Sequence, residues 1–509
     1  MFIIWLSGNE WSENQARETV FKRVVQIIQE QFNTDERSFN GVYLVLYEAI
    51  RKSIESGDIP ESTLMPPSRL LAEEMGLSRS TVVKAYNLLT ENKLVFARQG
   101  SGYVVMASPR QNLSSSEPRS GYPRISDIGQ SFLQNIHLLG STETEGMAFT
   151  PGLPPLDVFP IGQWQKLTNM YWRHIKSSDL NYSISSGIYP LKKNIANYLL
   201  LSRRIHCDPD QIIIVSGSLQ SLYLIGSILI NKGDDVMVEN PTFPNVISIF
   251  KSLQAQVHPV QVDGDGIDLV KLNRLRPQNP KLLHVTPSNQ YPLGGKMPVE
   301  KRLQLLDWAN QNEAIIIEND YEHEINNWES PVDSIYSLDQ QQRTIYLGTF
   351  NRILHPSIRL GYMVAPPYLL SSLKALQMHS HRFVPQSIQA VMTDFMSQNL
   401  IYKHIRNAID EASDRKALFL SLFGKLFDEG LQIRHQSTSS FHVVAELSEG
   451  KPDQPLVSAL KNKGIITHPL SKCYIGDPHK QGLILGYSCI NRGLLAQYLP
   501  KMAGVYFGK

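Results

Sequence analysis

The chain has 509 residues, beyond the size at which one hydrophobic core keeps growing, so two or three domains are expected. Apolar residues make up 42% and charged residues 19%, ordinary values for a soluble globular protein. The 49 basic residues nearly balance 47 acidic ones, which excludes global charge as a basis for nucleic-acid binding; any such signal must be local.

Along the chain, the opening MFIIWLSGNE has a brief apolar run without a basic region before it or a cleavage pattern after it. It is too short for a signal peptide or a membrane span, so no membrane role is expected. Residues 1–40 read as an extension carrying a helix, with Val20, Val24, Ile27 and Ile28 on one face for packing or a dimer contact. Residues 41–106 form a compact unit. LYEAIRKSIESGDI predicts a first helix closed by Gly57. PPSRLLAEEMG predicts a second, with Ser68 as cap and Gly76 as stop. In SRSTVVKAYNLLTENK, Ser78 caps a third helix whose buried face is Val82, Ala85, Tyr86 and Leu89. That leaves Arg79, Ser80, Lys84 and Asn87 toward solvent. LVFARQGSGYVVM predicts a short hairpin with Arg98 at its tip. Between Ser78 and Tyr103 stand four basic residues (Arg79, Lys84, Lys93, Arg98) and one acidic residue (Glu91). Two amphipathic helices across a tight turn, the second basic and hydroxyl-rich, suit a major-groove reader of double-stranded DNA.

Residues 107–148 are rich in Ser, Pro and Arg at their start and read as a linker. From 149 to 509, strand-like runs (QIIIVSG, DDVMVENP, KLLHVTP, EAIIIEND, TIYLGTF) alternate with helical segments, which predicts an α/β domain with a mainly parallel sheet. The three cysteines (Cys207, Cys473, Cys489) show no paired spacing, fit a reducing cytoplasm and argue for neither disulfides nor a metal. His323, His355 and His442 fall near the motifs below without a partner pattern, and His468 with Cys473 is weak as a metal pair.

The segment from Gly57 to Val105, with PSRLLAEEMG, SRSTVVKAY and GSGYVV, resembles the GntR-type winged helix-turn-helix. The resemblance implies DNA contacts at Arg69, Ser78, Arg79, Thr81 and Lys84, with Ser80 beside them. It places a wing at Arg98 to Gly102, with Gly100 in its turn. Such phosphate contacts would fix position, and only some of these side chains would read sequence.

The order of motifs from Thr150 onward is similar to fold-type-I enzymes dependent on pyridoxal phosphate. TPGLPPLDVFP opens the domain. VSGSLQSL sets Gly217 and Ser218 at a helix start suited to a phosphate. VENPTFPNV offers Phe243 to stack on a cofactor ring, and TPSNQYPLGG brings Tyr291 to a position where many members carry Asn. IIIENDYEHE supplies Asn319 and Tyr321; YLGTFNRILHPSIRLGY supplies Thr349, Asn351, Arg352 and Arg359, the last matching the family's phosphate-binding arginine. A winged helix followed by this domain is the architecture of the MocR/GabR-like regulators, so the whole is expected to be multidomain, α+β then α/β.

Two departures stand out. The family's Schiff-base lysine is replaced by Arg352, whose guanidinium stays protonated and offers no amine lone pair. The family's aspartate opposite the pyridine nitrogen is replaced by Asn319, an amide that cannot stabilise a pyridinium. No catalytic residue is therefore assigned, and no carboxylate-binding arginine stands near HKQGLILGYS. The pocket is expected to hold a small anionic effector, pyridoxal phosphate without a covalent tether, or nothing. The reading is a cytoplasmic, homodimeric, DNA-binding transcriptional regulator whose large domain sets the dimer and senses an effector. The alternatives are an active pyridoxal-phosphate-dependent aminotransferase with a DNA-binding appendage, using another lysine such as Lys296, and a scaffold that has lost DNA binding.

Overall fold

The computed structural model describes residues 13–34, 42–98, 102–106, 124–139, 149–182, 186–275, 277, 279–327, 332–427, 430–433, 440–448 and 450–508. The chain forms two compact units, Met1–Pro123 and Arg124–Lys509.

The first unit contains α1 (Glu13–Thr34), α2 (Val42–Glu55), α3 (Ser68–Met75), α4 (Arg79–Glu91) and an antiparallel hairpin of β1 (Val95–Arg98) and β2 (Gly102–Val105). Leu64 makes an isolated antiparallel bridge to Val104 of this two-stranded hairpin. One core joins these pieces, with Leu46 and Ile50 of α2, Leu71 of α3, and Val82, Tyr86 and Leu89 of α4 all buried. The helix expected within a separate extension belongs to this core, because Val24, Val25 and Ile28 of α1 are buried in it. Val20 and Ile27 are only half-buried, and Gln29 donates to the Glu74 carbonyl at 2.9 Å.

Ser78 caps α4, its Oγ accepting from the Thr81 amide at 3.2 Å, as the sequence predicts. Ser68 does not cap α3. Pro67 occupies that position with no side-chain bond, its ring fixing the entry geometry (φ −55°), and Ser68 becomes the first helical residue. Gly76 ends the helix in the left-handed region at φ 65°, where a side chain is disfavoured.

Of the stretch read as linker, 107–123 and 140–148 lie outside the described residues. Between them stands α5 (Asp127–Asn135), followed by a 3₁₀ turn, Ile136–Leu139. The helix is docked on the large unit. Ser131 Oγ donates to the Lys251 carbonyl at 3.0 Å, Ser248 Oγ donates to the Asn135 carbonyl at 3.0 Å, and the Phe132 ring meets Tyr223 at 6.2 Å. The linker reading is corrected over this segment.

The second unit is built on a mixed eight-stranded sheet. Its strands are β3 (Ile212–Val215), β4 (Asp235–Asn240), β5 (Gln256–Asp263), β6 (Gly266–Ile267), β7 (Pro280–Val285), β8 (Ile315–Asn319), β9 (Thr344–Thr349) and β10 (Gly361–Val364). The spatial order is β3-β10-β9-β8-β7-β4-β5-β6. Pairs β5–β4, β4–β7, β7–β8 and β8–β9 are parallel, while β10 runs antiparallel to both β3 and β9. The apolar runs are strands buried on both faces. Ile212 and Ile214 enter one core cluster and Ile213 and Val215 another, as the two-residue period requires. A smaller antiparallel sheet, ordered β11 (Leu431–Ile433), β12 (His442–Leu447), β14 (Gly482–Gly486), β13 (His468–Pro469), follows in the C-terminal part. Among the described residues, no helix is long and apolar enough to cross a membrane.

The topology sets the site. Strands β3, β8 and β9 end at the same edge of the sheet, and Gly361 at the start of β10 pairs with both Val215 and Thr349. Ligands of open α/β sheets bind outside the carboxyl ends of the strands.

Candidate functional site

In the first unit, Arg69, Ser78, Arg79, Ser80 and Lys84 are exposed, with Arg79, Ser80 and Lys84 on α4. Ser78 Oγ lies 2.8 Å from both Ser80 Oγ and Thr81 Oγ1, so these hydroxyls form one cluster at the start of α4. The capping hydrogen bond makes part of this cluster structural. The Lys84 ammonium sits 5.6 Å from the Tyr43 ring centre and is pre-positioned on the helix surface. Arg98 ends β1, paired with Gly102; its side chain and Gly100 lie outside the described residues.

In the second unit, Ser218, Phe243, Asn319, Tyr321, Thr349, Asn351, Arg352 and Arg359 line one cavity of about 260 Å³ at the carboxyl edge of the sheet. Gly217 caps the helix Ser218–Leu229 just outside it. Its φ of 146° is a glycine conformation, and an added Cβ would meet Asn351 Nδ2 at 2.8 Å. Asn351 is a clamp more than a ligand group. Its Nδ2 donates to the Ser216 carbonyl at 3.0 Å and its Oδ1 accepts from the Leu360 amide at 2.9 Å, tying the β3 turn to β10. Thr349 Oγ1 accepts from the Asn351 amide at 3.2 Å, leaving its O–H to donate. Arg359 is exposed to the cavity, and among the described residues no carboxylate lies within 4 Å of it. Ser218, Thr349 and Arg359 thus converge as donors at a helix start: an anion cradle.

Arg352 lies across the middle of the site. Its guanidinium is 5.7 Å from the Phe243 ring centre and 5.4 Å from that of Tyr321, and Nη1 is 3.7 Å from Glu322 Oε1. Glu322 is fully buried, and burial pushes its carboxyl up against the opposing pull of Arg352. The same carboxylate accepts from Ser440 Oγ and, at 3.1 Å, from Asn289 Nδ2. Tyr321 donates to the Asn289 carbonyl at 3.0 Å, which holds the ring beside Arg352. Tyr291 stacks flat on Phe243, ring centres 3.6 Å apart and planes at 10°, and faces a neighbouring cleft. Asn319 Nδ2 lies 3.2 Å from His284 Nε2, and burial lowers His284 to about 3, so that imidazole is neutral.

Sequence reasoning missed Glu322, His284, Asn289, Ser440 and Gly152. Glu322 stood in view beside Tyr321, but its partner is distant in the chain. Gly152 (φ 73°) lies so close to Arg352 that an added Cβ would fall 1.1 Å from Nη1. Gly152→Ala is therefore expected to displace the guanidinium and to cost about 1–2 kcal/mol for the left-handed backbone alone. Gly162→Ala, where nothing lies within 4 Å of the new Cβ, is the control and is expected to melt no lower than the native chain. Equal melting temperatures for Gly152→Ala and the native protein would refute this contact.

His442, buried beside Tyr291, is lowered by burial to about 4, and His284 to about 3, both from an ordinary 6.5. Folded-state values below the unfolded ones mean stability that is complete above pH 6.5 and lost as pH falls toward 4. Urea midpoints at pH 7 and pH 5 check the sign, with the lower midpoint expected at pH 5.

Pyridoxal phosphate is the cofactor of this fold type, and the donor set bears on how it could be held. The set does not fit a tethered, pyridinium-stabilised cofactor. Position 352 presents a guanidinium held by Glu322 and two rings, and position 319 presents an amide facing a neutral histidine. The cradle at Ser218, Thr349 and Arg359 fits an anion. Lys296, the alternative amine, is exposed and does not line the cavity.

Residues 157–482 match the family described as aminotransferase class I and II, and residues 42–105 match bacterial regulatory proteins of the gntR family. The probable rhizopine catabolism regulatory protein MocR of Rhizobium meliloti is 32% identical over 88% of this chain and 90% of its own length. The pyridoxine biosynthesis transcriptional regulator PdxR of Corynebacterium glutamicum is 25% identical, over 90% of this chain and 94% of its own. Among solved structures, α-aminoadipate aminotransferase LysN of Thermus thermophilus, complexed with N-(5'-phosphopyridoxyl)-L-leucine, superposes with a TM-score of 0.67 at 20% identity, over 74% of this chain and 97% of that one.

Proposed function

This chain belongs to the MocR-type transcriptional regulators, a gntR-family DNA-binding unit joined to an aminotransferase-like domain, and on that premise we propose that the larger domain is a non-catalytic sensor of a small anion. The observation that carries this reading is the Arg352–Glu322 pair, 3.7 Å apart, standing where transamination needs a free amine. The cradle of Ser218, Thr349 and Arg359 binds the anion without a covalent bond, and pyridoxal phosphate itself is one occupant it admits. The protein acts in the cytoplasm as a homodimer, and ligand binding alters how two winged helices match the spacing of their half-sites on duplex DNA. Native mass spectrometry of freshly purified protein tests the sensor and the dimer together; a covalent cofactor or a monomer would count against them.

DNA binding has its own test. With a labelled fragment from upstream of the protein's own gene, Arg79→Ala and Lys84→Ala are each expected to weaken binding about tenfold. Each is also expected to flatten the salt dependence by about one unit, as lost phosphate contacts release fewer counterions. Native affinity and slope in both variants would refute the assignment of α4.

A further inference from the structure

In the second unit the helix α6 (Ile161–His174) carries no acidic residue. Gln165, Lys166, Asn169 and Arg173 are all exposed and fall on one stripe of the helix, as the 3.6-residue period requires. The opposite side is anchored. Leu167 is buried, and the Trp164 ring packs 5.5 Å from Phe395 and 5.7 Å from Phe159. The stripe is therefore presented on a fixed element, and a groove of about 370 Å³ runs along it, lined by residues of this helix.

What sets the stripe apart is uncompensated charge. Elsewhere in this unit Lys192 is taken up by Asp210 at 3.1 Å, Lys301 by Asp263 at 2.7 Å and Arg492 by Asp414 at 2.8 Å. Among the described residues, no carboxylate lies within 4 Å of Lys166 or Arg173. Two helical turns separate these cations, about 10 Å along the axis, so the two long side chains reach separate groups of a partner. Lysine and arginine with amide side chains between them are common donors to nucleic-acid phosphates. Because these donors spread along the helix without converging on a point, an extended polyanion matches them better than a small anion. The chain brings such a polymer with it. Its gntR-family unit binds duplex DNA, which presents the flanking duplex at high effective concentration.

We infer that the Lys166–Arg173 face of α6 is a second contact surface for duplex DNA, taking backbone phosphates of the sequence that flanks the site read by the winged helix. The inference rests on DNA binding by the first unit and adds a partner surface on the larger one. Its contacts position the duplex and carry no base preference. Ile161 and Trp172 are also exposed on this helix, which makes a second copy of the chain the rival occupant.

The test uses the full chain and two duplexes from upstream of its own gene. One is the shortest fragment whose binding is still weakened by Arg79→Ala. The other extends it by about 20 base pairs, two helical turns, on each side. Native protein is expected to bind the longer duplex about tenfold more tightly and with a salt slope steeper by about two units. Lys166→Gln combined with Arg173→Gln is expected to remove both differences while holding short-fragment affinity within about twofold. Lys451 and Lys501, which lie over the rings of Tyr506 and Tyr498, supply the charge control. Changing both to Gln alters net charge equally and is expected to keep the length advantage.

Equal native affinity for the two lengths, a length advantage that survives in Lys166→Gln/Arg173→Gln, or its equal loss in the control pair overturns the inference. So does a change of oligomeric mass in the α6 variant, which would give this face to a second copy. Absence of salt-dependent binding to either length would instead defeat the DNA-binding assignment of the first unit, and this surface with it.

Discussion

Replacing Arg203 by alanine is expected to destabilise the large domain by about 3–5 kcal/mol, enough to leave much of it unfolded in a marginally stable protein. Arg203 is fully buried at the end of the helix Tyr189–Arg203, with Nε 2.7 Å from Asp320 Oδ2 and Nη2 3.6 Å from Glu318 Oε1. Arg302 reaches the same Glu318 from the opposite helix at 3.7 Å, and Tyr346 donates to Asp320 at 2.9 Å. Both acids flank Asn319 on β8, so this network holds the strand that ends in the cavity. Truncating Arg203 leaves Asp320 buried without the cation that most strongly opposes the upward push of burial on its carboxyl, so the acid either stays ionised at a cost or takes up a proton. The loss comes from the orphaned charge more than from the pair itself, so Arg203→Met combined with Asp320→Asn is expected to recover most of it. Urea unfolding followed by tryptophan fluorescence checks both, because Trp308 is buried in this domain. Equal midpoints for Arg203→Ala and the native chain would show that Asp320 finds another partner.

The same network marks where sequence reading runs out. The winged helix was legible because its signals are local. Ser78 caps its own helix, and the face of Val82, Ala85, Tyr86 and Leu89 is buried as its spacing demands. The mainly parallel sheet was legible in the alternation of apolar runs with helices, and the shared pocket of Ser218, Thr349 and Arg359 through motif resemblance. What stayed hidden depends on distant partners. The packing of α1 onto α2 and α3 is not written in the period of Val24 and Ile28. The helix α5 lacks a fully buried stripe and is held by the hydrogen bonds of Ser131 and Ser248 together with Phe132, half-buried against the core. Asn351 looked like a pocket residue, yet both ends of its amide are spent on backbone. Glu322 decides the fate of Arg352, thirty residues on in the chain, and only the sheet edge brings the two together.

Arg352→Lys in the presence of excess pyridoxal phosphate is expected to yield, after borohydride reduction, a pyridoxyl group on the peptide containing position 352, where the native protein yields none. The change restores a primary amine at the end of the β9 loop, but that amine inherits Glu322. A buried carboxylate beside an ammonium favours its charged, non-nucleophilic form. Adduct formation in Arg352→Lys should therefore rise with pH, and adding Glu322→Gln should shift that rise to lower pH. Amino-acid turnover should stay very slow in the single variant, because an amide remains at position 319. Adding Asn319→Asp supplies the missing charge, and it sets a carboxylate against His284, 3.2 Å from the present amide, raising that imidazole from about 3 and giving the new acid a donor. The double variant is thus expected to bind the cofactor more tightly and to convert amino acids faster than either single change. Absence of the adduct in every variant would mean that Tyr291, stacked on Phe243, has closed the ring site. A covalent cofactor on native protein with turnover of amino acids would instead overturn the sensor reading, since it would prove that chemistry here has found an amine other than the one the family uses.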